Sequence, residues 1–327
     1  MKLSFNSQNF KGYDAVPLRA IHVEESTCAA IRDELSEIAK QENFELRQGL
    51  DYYRWTQDLK TIVEKDKKPF LVVNDRVEDT YLEEMKLKYG ISGKKNELIA
   101  TGGNSFIGKL PNGEKWMMVG YDELATKSYE YISQEYGIKE ENIIPIPQQN
   151  YHLDMFMRPI GYPYVLIDNP ELSKQKLSSL GMLGAGYDYI LLNKNFKDFE
   201  NARSTDFDSH ESVISALKKA GFIPIEIAGV FGSGINFMNA IVNKHPDGTI
   251  SYITNASECE TKFVSKLQGE FEKELRQKVP NIDKVHFVKG KDDRVGFMHN
   301  HLTYALDVKG GGLHCMTMEE PDFEAWA

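Results

Sequence analysis

The segment Gly310-Gly311-Gly312-Leu313-His314-Cys315-Met316-Thr317 places three consecutive glycines shortly before a cysteine. Glycines let the backbone turn sharply or approach a ligand closely, and a packed core strand needs neither property. A free cysteine is more often a small buried hydrophobic residue. The glycine run therefore makes Cys315 a candidate nucleophile.

Three further segments place reactive or charged side chains among aromatic or glycine residues. They are Tyr53–Asp58 (YRWTQD), Tyr151–Phe156 (YHLDMF) and Gly232–Asn236 (GSGIN). On a strand, His152 and Asp154 would project from the same face, where the carboxylate can hold a substrate and the imidazole can move a proton. Taken alone, His152 also fits a hydrogen-bonded core histidine, and Asp58 fits a capping or surface aspartate.

Other catalytic motifs are not found in the sequence. His299 and His301 lie near His314 in the chain, but no HExxH or CxxC motif accompanies them, so we expect no metal site. The glycines at 310–312 are not followed by Lys-Ser or Lys-Thr, which excludes a P-loop. The GxSxG motif of serine hydrolases is also absent.

Composition narrows the classes of partner. The formal charge of −10 over 327 residues disfavours binding to nucleic acid or to an anionic membrane surface. Three widely spaced cysteines argue against a disulfide framework and favour a reducing compartment. The N-terminal sequence lacks the pattern of a secretory signal, so we expect a cytoplasmic protein, with a specialised secretion route left open.

Apolar spacing and capping residues predict five helices alternating with strands, which indicates an α/β protein. The helices are predicted after Ser26, over Asp122–Tyr136, from Asn169-Pro170 to Gly181, from Asp208 (capping box with Glu211) to Gly221, and along Phe263, Leu267, Phe271 and Leu275. The strands are predicted at Phe70–Val73, Trp116–Val119, Tyr164–Ile167, Tyr189–Leu192, Ile223–Ile227 and Lys284–Val288. No linker divides the chain, so a single domain over residues 1–327 is expected.

A weak internal repeat accompanies this pattern. Gly103-Asn104 precedes an apolar run and the turn Asn112-Gly113, and Gly234-Ile235-Asn236 similarly precedes the turn Asp247-Gly248. Each copy resembles a strand, a tight turn and a return strand. Such hairpins are common, so the pattern alone leaves a true structural repeat open.

Several of these segments together resemble a known family. RWTQD at 54–58, HLDMF at 152–156 and HLTYALDVKGGGLHCMT at 301–317 resemble the catalytic segments of peptidylarginine deiminases. The wider superfamily of guanidino-modifying enzymes, the penteins, is similar in its GGN segment, here at 102–104, and in its GGGxHC ending. The resemblance implies a five-bladed α/β propeller, with a catalytic core over about residues 45–320.

The resemblance also implies roles for individual residues. Cys315 would be the nucleophile, His152 the general acid and base, and Asp58 and Asp154 the carboxylates that hold the guanidinium. The implied substrate-binding residues are Trp55, which would flank the aliphatic stem, and Asn236. His314 is left out of this set, because on a strand its side chain would point away from Cys315.

The implied activity is hydrolysis of arginine residues in proteins or peptides to citrulline, with release of ammonia through a thiouronium adduct. The alternatives are a small guanidine substrate such as agmatine or free arginine, amidino transfer to an amine, and a non-catalytic binding module. Leu59, Lys60 and Thr61 occupy positions that are acidic in calcium-dependent family members, so calcium activation is doubtful and no cofactor is expected. The oligomeric state is left open.

Overall fold

The computed structural model describes residues 17–49, 55–97, 102–180, 208–231, 235–256, 262–279, 281–290 and 311–325. In chain order, its strands are β1 (Leu18–Glu24), β2 (Glu45–Gly49), β3 (Lys60–Lys65), β4 (Lys68–Val73), β5 (Ser92–Lys95), β6 (Ser105–Lys109), β7 (Lys115–Gly120), β8 (Ile143–Ile146), β9 (Met157–Gly161), β10 (Tyr164–Asp168), β11 (Ile223–Ile227), β12 (Ala240–Lys244), β13 (Ile250–Asn255), β14 (Ile282–Val288) and β15 (Thr317–Pro321). Its α-helices are α1 (Ala29–Glu42), α2 (Thr56–Leu59), α3 (Asp79–Tyr89), α4 (Tyr121–Leu124), α5 (Tyr129–Tyr136), α6 (Pro170–Ser179), α7 (His210–Lys219) and α8 (Lys262–Lys278).

These strands form five three-stranded sheets with one shared topology. In chain order, β3-β4-β5, β6-β7-β8, β9-β10-β11 and β12-β13-β14 each contain an antiparallel hairpin, a helical connection and a third strand parallel to the middle one. Parallel neighbours need such a crossover connection, whereas antiparallel neighbours need only a tight turn. In the remaining sheet, β15 from the end of the described chain pairs antiparallel with β1, and β2 completes the unit. We number these blades 1 to 5, with the β15-β1-β2 sheet as blade 1.

Apolar clusters join each blade to its neighbours. Val72 of blade 2 packs in one cluster with Met117 of blade 3, and other clusters join blades 3 and 4 and blades 4 and 5. Ile253 of blade 5 packs with Ile21 of blade 1, and Met318 of blade 1 packs in a cluster with blade 2. The ring of five blades is therefore closed, and the predicted five-bladed α/β propeller is confirmed. The prediction of one domain over residues 1–327 is not tested by these contacts and stays a prediction.

Several helix predictions agree with the structure. Ile31, Leu35 and Ile38 form the buried face of α1, which ends at the left-handed Asn43. The Asn169 side chain caps α6 by accepting hydrogen bonds from the first turn. Leu267, Phe271 and Leu275 are buried along α8, as their spacing predicts. The predicted strand Tyr189–Leu192 lies outside the described residues.

Other predictions need correction. The single helix predicted over Asp122–Tyr136 is two helices, α4 and α5, because Ser128 begins a new helix by accepting from the Tyr131 N–H. Helix α7 is capped by Ser209 and not by Asp208, whose carboxylate accepts from the Gln148 N–H instead. Helix α3 was not predicted. Its Tyr81 and Met85 are buried, but most of its other residues are polar or charged.

The weak internal repeat is a structural one. The two predicted hairpins are β6-β7 and β12-β13, the first hairpins of blades 3 and 5. Gly113 and Gly248 lie in their turns with φ of 84° and 87°, a backbone conformation that favours glycine. Within the described part of the chain, no helix is both long and apolar enough to span a membrane.

Candidate active site

The site is built from the segments that lead into the first strand of each blade. These segments are 55–59 before β3, 102–104 before β6, 152–156 before β9, 235–239 before β12 and 312–316 before β15. Because equivalent strands of a propeller run in the same sense around one axis, segments far apart in sequence meet at one end of the ring. Asn104 and Asn236 both lie in such segments, one residue before β6 and four residues before β12 respectively.

Cys315 lies in a turn formed by residues 313–316, directly before β15, and only 3% of its surface is exposed. Its Sγ donates to Asp154 Oδ2 at 3.2 Å and accepts from Asn239 Nδ2 at 3.2 Å. The backbone is held from two sides, because the Gln57 N–H donates to the Cys315 carbonyl and the His314 N–H donates to Asn239 Oδ1. The thiol is therefore fixed in position against one carboxylate.

Two glycines are required by the close packing of this site. A Cβ at Gly312 would lie 2.6 Å from Asn239 Oδ1, and one at Gly103 would lie 2.7 Å from His152 Nδ1. Both distances are shorter than van der Waals contact, so a side chain at either position would displace a group of the site. Gly312 in the glycine run and Gly103 in the GGN segment thus allow the backbone to pass close to the side chains of the site.

Asp154 is fully buried and carries two hydrogen bonds on one oxygen. Oδ2 accepts from Cys315 Sγ and from His314 Nδ1, the latter at 2.8 Å, whereas Oδ1 has no hydrogen-bond partner among the described residues. Burial by itself raises the pKa of a carboxyl group, but the hydrogen bond from His314 holds the pKa of Asp154 below its ordinary value. The carboxylate is therefore ionised, with one oxygen available to a ligand.

His152 and Asp58 form the other side of the site. His152 Nδ1 lies 4.0 Å from Asp58 Oδ1, and both side chains are partly exposed. Neither of these two atoms has a hydrogen-bond partner in the described part of the chain. Burial raises the pKa of Asp58 to about 6, with the His152 charge acting in the opposite direction.

The sequence-based prediction brought His152 and Asp154 together for the wrong local reason. Asp154 belongs to a 3-10 helix over Leu153–Met155 that begins after His152, and not to a strand. The two side chains nevertheless converge, because ligating atoms of His152, Asp154 and Cys315 all lie within 4.8 Å of one another. Such a set of nitrogen, oxygen and sulfur atoms is also suited to a zinc ion.

The two predicted substrate-binding residues differ in placement. Trp55 is partly buried and packs against Met155 and Cys315, beside the thiol. Asn236 is buried, and its amide contacts backbone groups: Nδ2 donates to the Met155 carbonyl, and Oδ1 accepts from the N–H groups of Met238 and Asn239. These contacts connect the segment before β12 with the segment before β9, and the predicted contact of Asn236 with substrate stays a prediction.

Sequence reasoning missed several residues of the site. His314 was excluded as pointing away from Cys315, but residues 313–316 form a turn, and the His314 ring lies against Asp154. Arg158 and Gln57 contact the other side of that ring. Asn239 contacts the thiol. His314 had a signal in its position beside the cysteine, whereas nothing in the local sequence distinguishes Arg158, Gln57 or Asn239.

The electrostatics of the site favour a cationic ligand. Burial, together with the charges of Asp154 and Asp58, raises the pKa of the Cys315 thiol well above its ordinary value. A cation placed between the two carboxylates would offset their contribution to that effect, because it would stabilise the thiolate. The site can therefore bind an organic cation and present a thiol to it, with His152 available for proton transfer.

Similarity to solved structures identifies the fold. The chain is similar to an agmatine deiminase of C. jejuni, with 14% identity, 94% coverage of each chain and a TM-score of 0.56. It is also similar to the agmatine deiminase of Enterococcus faecalis, with 10% identity, coverage of 95% of this chain and 94% of that one, and a TM-score of 0.52. No family model and no curated protein sequence matches the chain significantly. The fold is pentein-like, and peptidylarginine deiminases in particular are not supported by these similarities.

Proposed function

We propose that this protein is a hydrolase that removes ammonia from a small guanidine, with agmatine or free arginine as the substrate class. The observation that carries the proposal is the hydrogen bond between the Cys315 thiol and the Asp154 carboxylate. Asp58 and His152 lie on the opposite side of the same site. Guanidinium is planar and permanently charged, and paired carboxylates match its forked donors.

In the first step, the guanidinium binds between Asp58 and Asp154, its charge stabilises the Cys315 thiolate, and the thiol proton passes to His152. The thiolate then adds to the guanidinium carbon, forming a C–S bond. His152 carries a proton to one amino group, the C–N bond breaks, and ammonia leaves behind a covalent thiouronium adduct.

In the second step, water replaces the sulfur. His152 takes a proton from the water, the hydroxide adds to the thiouronium carbon, and the C–S bond breaks as the proton of the added hydroxyl moves to the sulfur, which regenerates the thiol. His152 then releases its proton to the solvent, where the departed ammonia takes up a proton as ammonium. The overall reaction converts one guanidinium and one water into one ureido product and one ammonium ion.

The proposed small substrate is the alternative interpretation of the sequence, whose leading interpretation is arginine within proteins or peptides. Two fold relatives with TM-scores above 0.5 are agmatine deiminases. Peptidyl arginine therefore enters the test as a competing substrate. Amidino transfer and binding without catalysis are the other competing outcomes.

The test measures ammonia and ureido product from agmatine, free arginine and an arginine-containing polypeptide, with and without calcium. The Cys315→Ala variant should fold normally and release no ammonia from any of them. Cys28→Ala is the matched control, because Cys28 is a second thiol, at the N-terminus of α1, that no described hydrogen bond links to the site, and it should keep most of the activity.

Each other outcome contradicts the proposal in its own way. Product from the polypeptide alone would establish a protein-directed enzyme. Product only when an amine acceptor is supplied would establish an amidinotransferase. Binding of a guanidine without any turnover would establish a binding protein, and substantial turnover by Cys315→Ala would exclude the cysteine as nucleophile.

A further inference from the structure

A line of four polar side chains connects blade 1 with blade 4 behind the candidate nucleophile. Glu319 on β15 accepts a hydrogen bond from Arg158 Nη2 on β9. Arg158 Nη1 lies 2.6 Å from His314 Nε2, and His314 Nδ1 lies 2.8 Å from Asp154 Oδ2. Arg158, His314 and Asp154 are all buried, so these contacts are shielded from water.

The chemistry of Arg158 determines which ring nitrogen of His314 carries the proton. A guanidinium has five N–H donors and no acceptor, so the nitrogen that it contacts must accept. Nε2 is therefore unprotonated. The Gln57 amide nitrogen, 3.1 Å from the same Nε2, is a second donor on this side. A proton on Nε2 would place N–H groups against one another on this side of the ring.

On the other side of the ring, Nδ1 faces an ionised carboxylate, which can only accept. The ring consequently carries its proton on Nδ1 and donates it to Asp154 Oδ2. The Phe106 ring lies 5.8 Å from the His314 ring, centroid to centroid, and supplies no competing polar group.

This arrangement determines how Asp154 is presented. With Oδ2 occupied by His314 and by the Cys315 thiol, the remaining oxygen Oδ1 is the one without a described partner. A rotation of the carboxylate would break both hydrogen bonds at once. Oδ2 thereby stays hydrogen-bonded to the Cys315 thiol, while Oδ1 can accept a hydrogen bond from a cationic ligand.

We propose that His314 is a positioning residue, set as a neutral Nδ1–H donor by Arg158, which orients Asp154 so that one carboxylate oxygen receives the guanidinium and the other contacts Cys315. The proposal rests on the proposed function for its effect on turnover. The assignment of the tautomer does not depend on it.

The first test is nitrogen NMR of the full-length protein labelled with ¹⁵N-histidine, at pH 8, with His314→Asn used to assign the signal. We expect the proton on Nδ1, the reverse of the preference of free histidine. In Arg158→Met, whose side chain cannot donate, Nδ1 should keep its proton against Asp154, and the signal of the doubly protonated ring should appear because the guanidinium no longer opposes a proton on Nε2. A proton on Nε2 in the unmodified protein would overturn the proposal.

The second test is steady-state kinetics with the guanidine that is turned over. His314→Phe removes the donor and should lower kcat/KM roughly 10- to 100-fold, the equivalent of one hydrogen bond to a charged group, through both a higher KM and a lower kcat. His314→Asn keeps an N–H near the position of Nδ1 and should recover most of that loss. His245→Asn, a change of a histidine outside the site, should stay within about twofold.

The outcomes separate the two proposals. An Nδ1–H tautomer in a protein that turns over no guanidine would refute the proposed function alone. Normal turnover by His314→Phe, or equal losses in the phenylalanine and asparagine variants, would refute positioning by His314. Circular dichroism and thermal unfolding of each variant show whether a loss of activity comes from loss of the fold.

Discussion

At the scale of single residues, the site is defined by two carboxylates that lie close to a buried thiol. Asp58 and Asp154 approach the same thiol, and burial amplifies the cost of leaving those charges without a cation. The pKa of Asp58 and that of Cys315 are both raised, while the pKa of Asp154 is lowered by its hydrogen bonds. These opposite shifts determine how activity and thiol reactivity should depend on pH.

The first prediction concerns the acid limb of activity. Burial raises the pKa of Asp58 to about 6, so below that pH its carboxyl is neutral and cannot pair with a guanidinium. We expect kcat/KM to fall about tenfold per pH unit below pH 6 and to be level above it. In Asp58→Asn, whose amide does not titrate, the residual activity should lack this limb. A wild-type limb centred near pH 4 would contradict the assignment.

The second prediction concerns the thiol of the free protein. Because burial and two carboxylates raise the pKa of Cys315, alkylation by iodoacetamide, which requires the thiolate, should be slow at pH 7.5 and still accelerating at pH 9. Mass spectrometry of Cys315 and Cys28 in the same sample separates the two reactions. Rapid, pH-independent alkylation of Cys315 at neutral pH would show a preformed thiolate.

The third prediction concerns metal ions. His152, Asp154 and Cys315 offer a nitrogen, an oxygen and a sulfur within 4.8 Å of one another, so zinc should inhibit reversibly by occupying the cation site. A chelator should leave the activity of the purified protein unchanged, and calcium should not increase it. Loss of activity on chelation, restored by calcium, would show that a bound cation is needed.

At the scale of elements, the site is positioned by short turns that precede strands more than by long helices. The 3-10 turn at Leu153–Met155 and the turn at 313–316 aim Asp154 and Cys315, and each leads directly into a strand. Helix boundaries were the least predictable feature of the sequence. The reason is visible at α7, where two adjacent residues, Asp208 and Ser209, are both good capping residues and tertiary contacts decide between them.

The fourth prediction tests that choice. Ser209 Oγ accepts from the Ser212 N–H, so Ser209→Ala should lower the free energy of unfolding by about 1 kcal/mol. Glu211→Ala removes the second half of the capping box that the sequence predicts, and should change it by less than about 0.5 kcal/mol. Urea denaturation of both variants measures the difference. The reverse ranking would indicate a cap at Asp208.

At the scale of the whole molecule, one strand from the end of the described chain completes the ring. Strand β15 pairs with β1 about 300 residues earlier in the chain, and the same strand follows the Cys315 turn directly. Closure of the ring and placement of the nucleophile therefore depend on the same segment. Buried charges lie at this junction, where Glu320 contacts both His22 and Arg47.

The fifth prediction concerns this junction. Glu320 is fully buried, so Glu320→Ala leaves buried His22 without its carboxylate and Arg47 with only the exposed Glu45, and should lower the free energy of unfolding by about 3 kcal/mol. Glu324→Ala, an exposed change four residues later, is the control and should have little effect. Equal stability of the two variants in urea denaturation would show that Glu320 does not stabilise ring closure.

The sequence by itself determined the chemical groups and the type of elements. The α/β alternation follows from apolar periodicity, which is a local property, and the repeated hairpins follow from glycine-containing turns. Cys315, His152, Asp154 and Asp58 are also identifiable from their local motifs, and the structure brings all four together. Their assigned roles stay proposals until activity is measured.

Only the tertiary structure decided which atoms touch. The orientation of His314 depended on whether residues 313–316 form a strand or a turn, and its partner Arg158 lies 156 residues away in another blade. Asn236 belongs to the Gly232–Asn236 motif, from which contact with substrate is predicted. In the structure its amide contacts backbone groups of Met155 and Met238. Local patterns encode spacing over a few residues, whereas contacts across a closed ring depend on how all five blades pack, so no single segment carries that information.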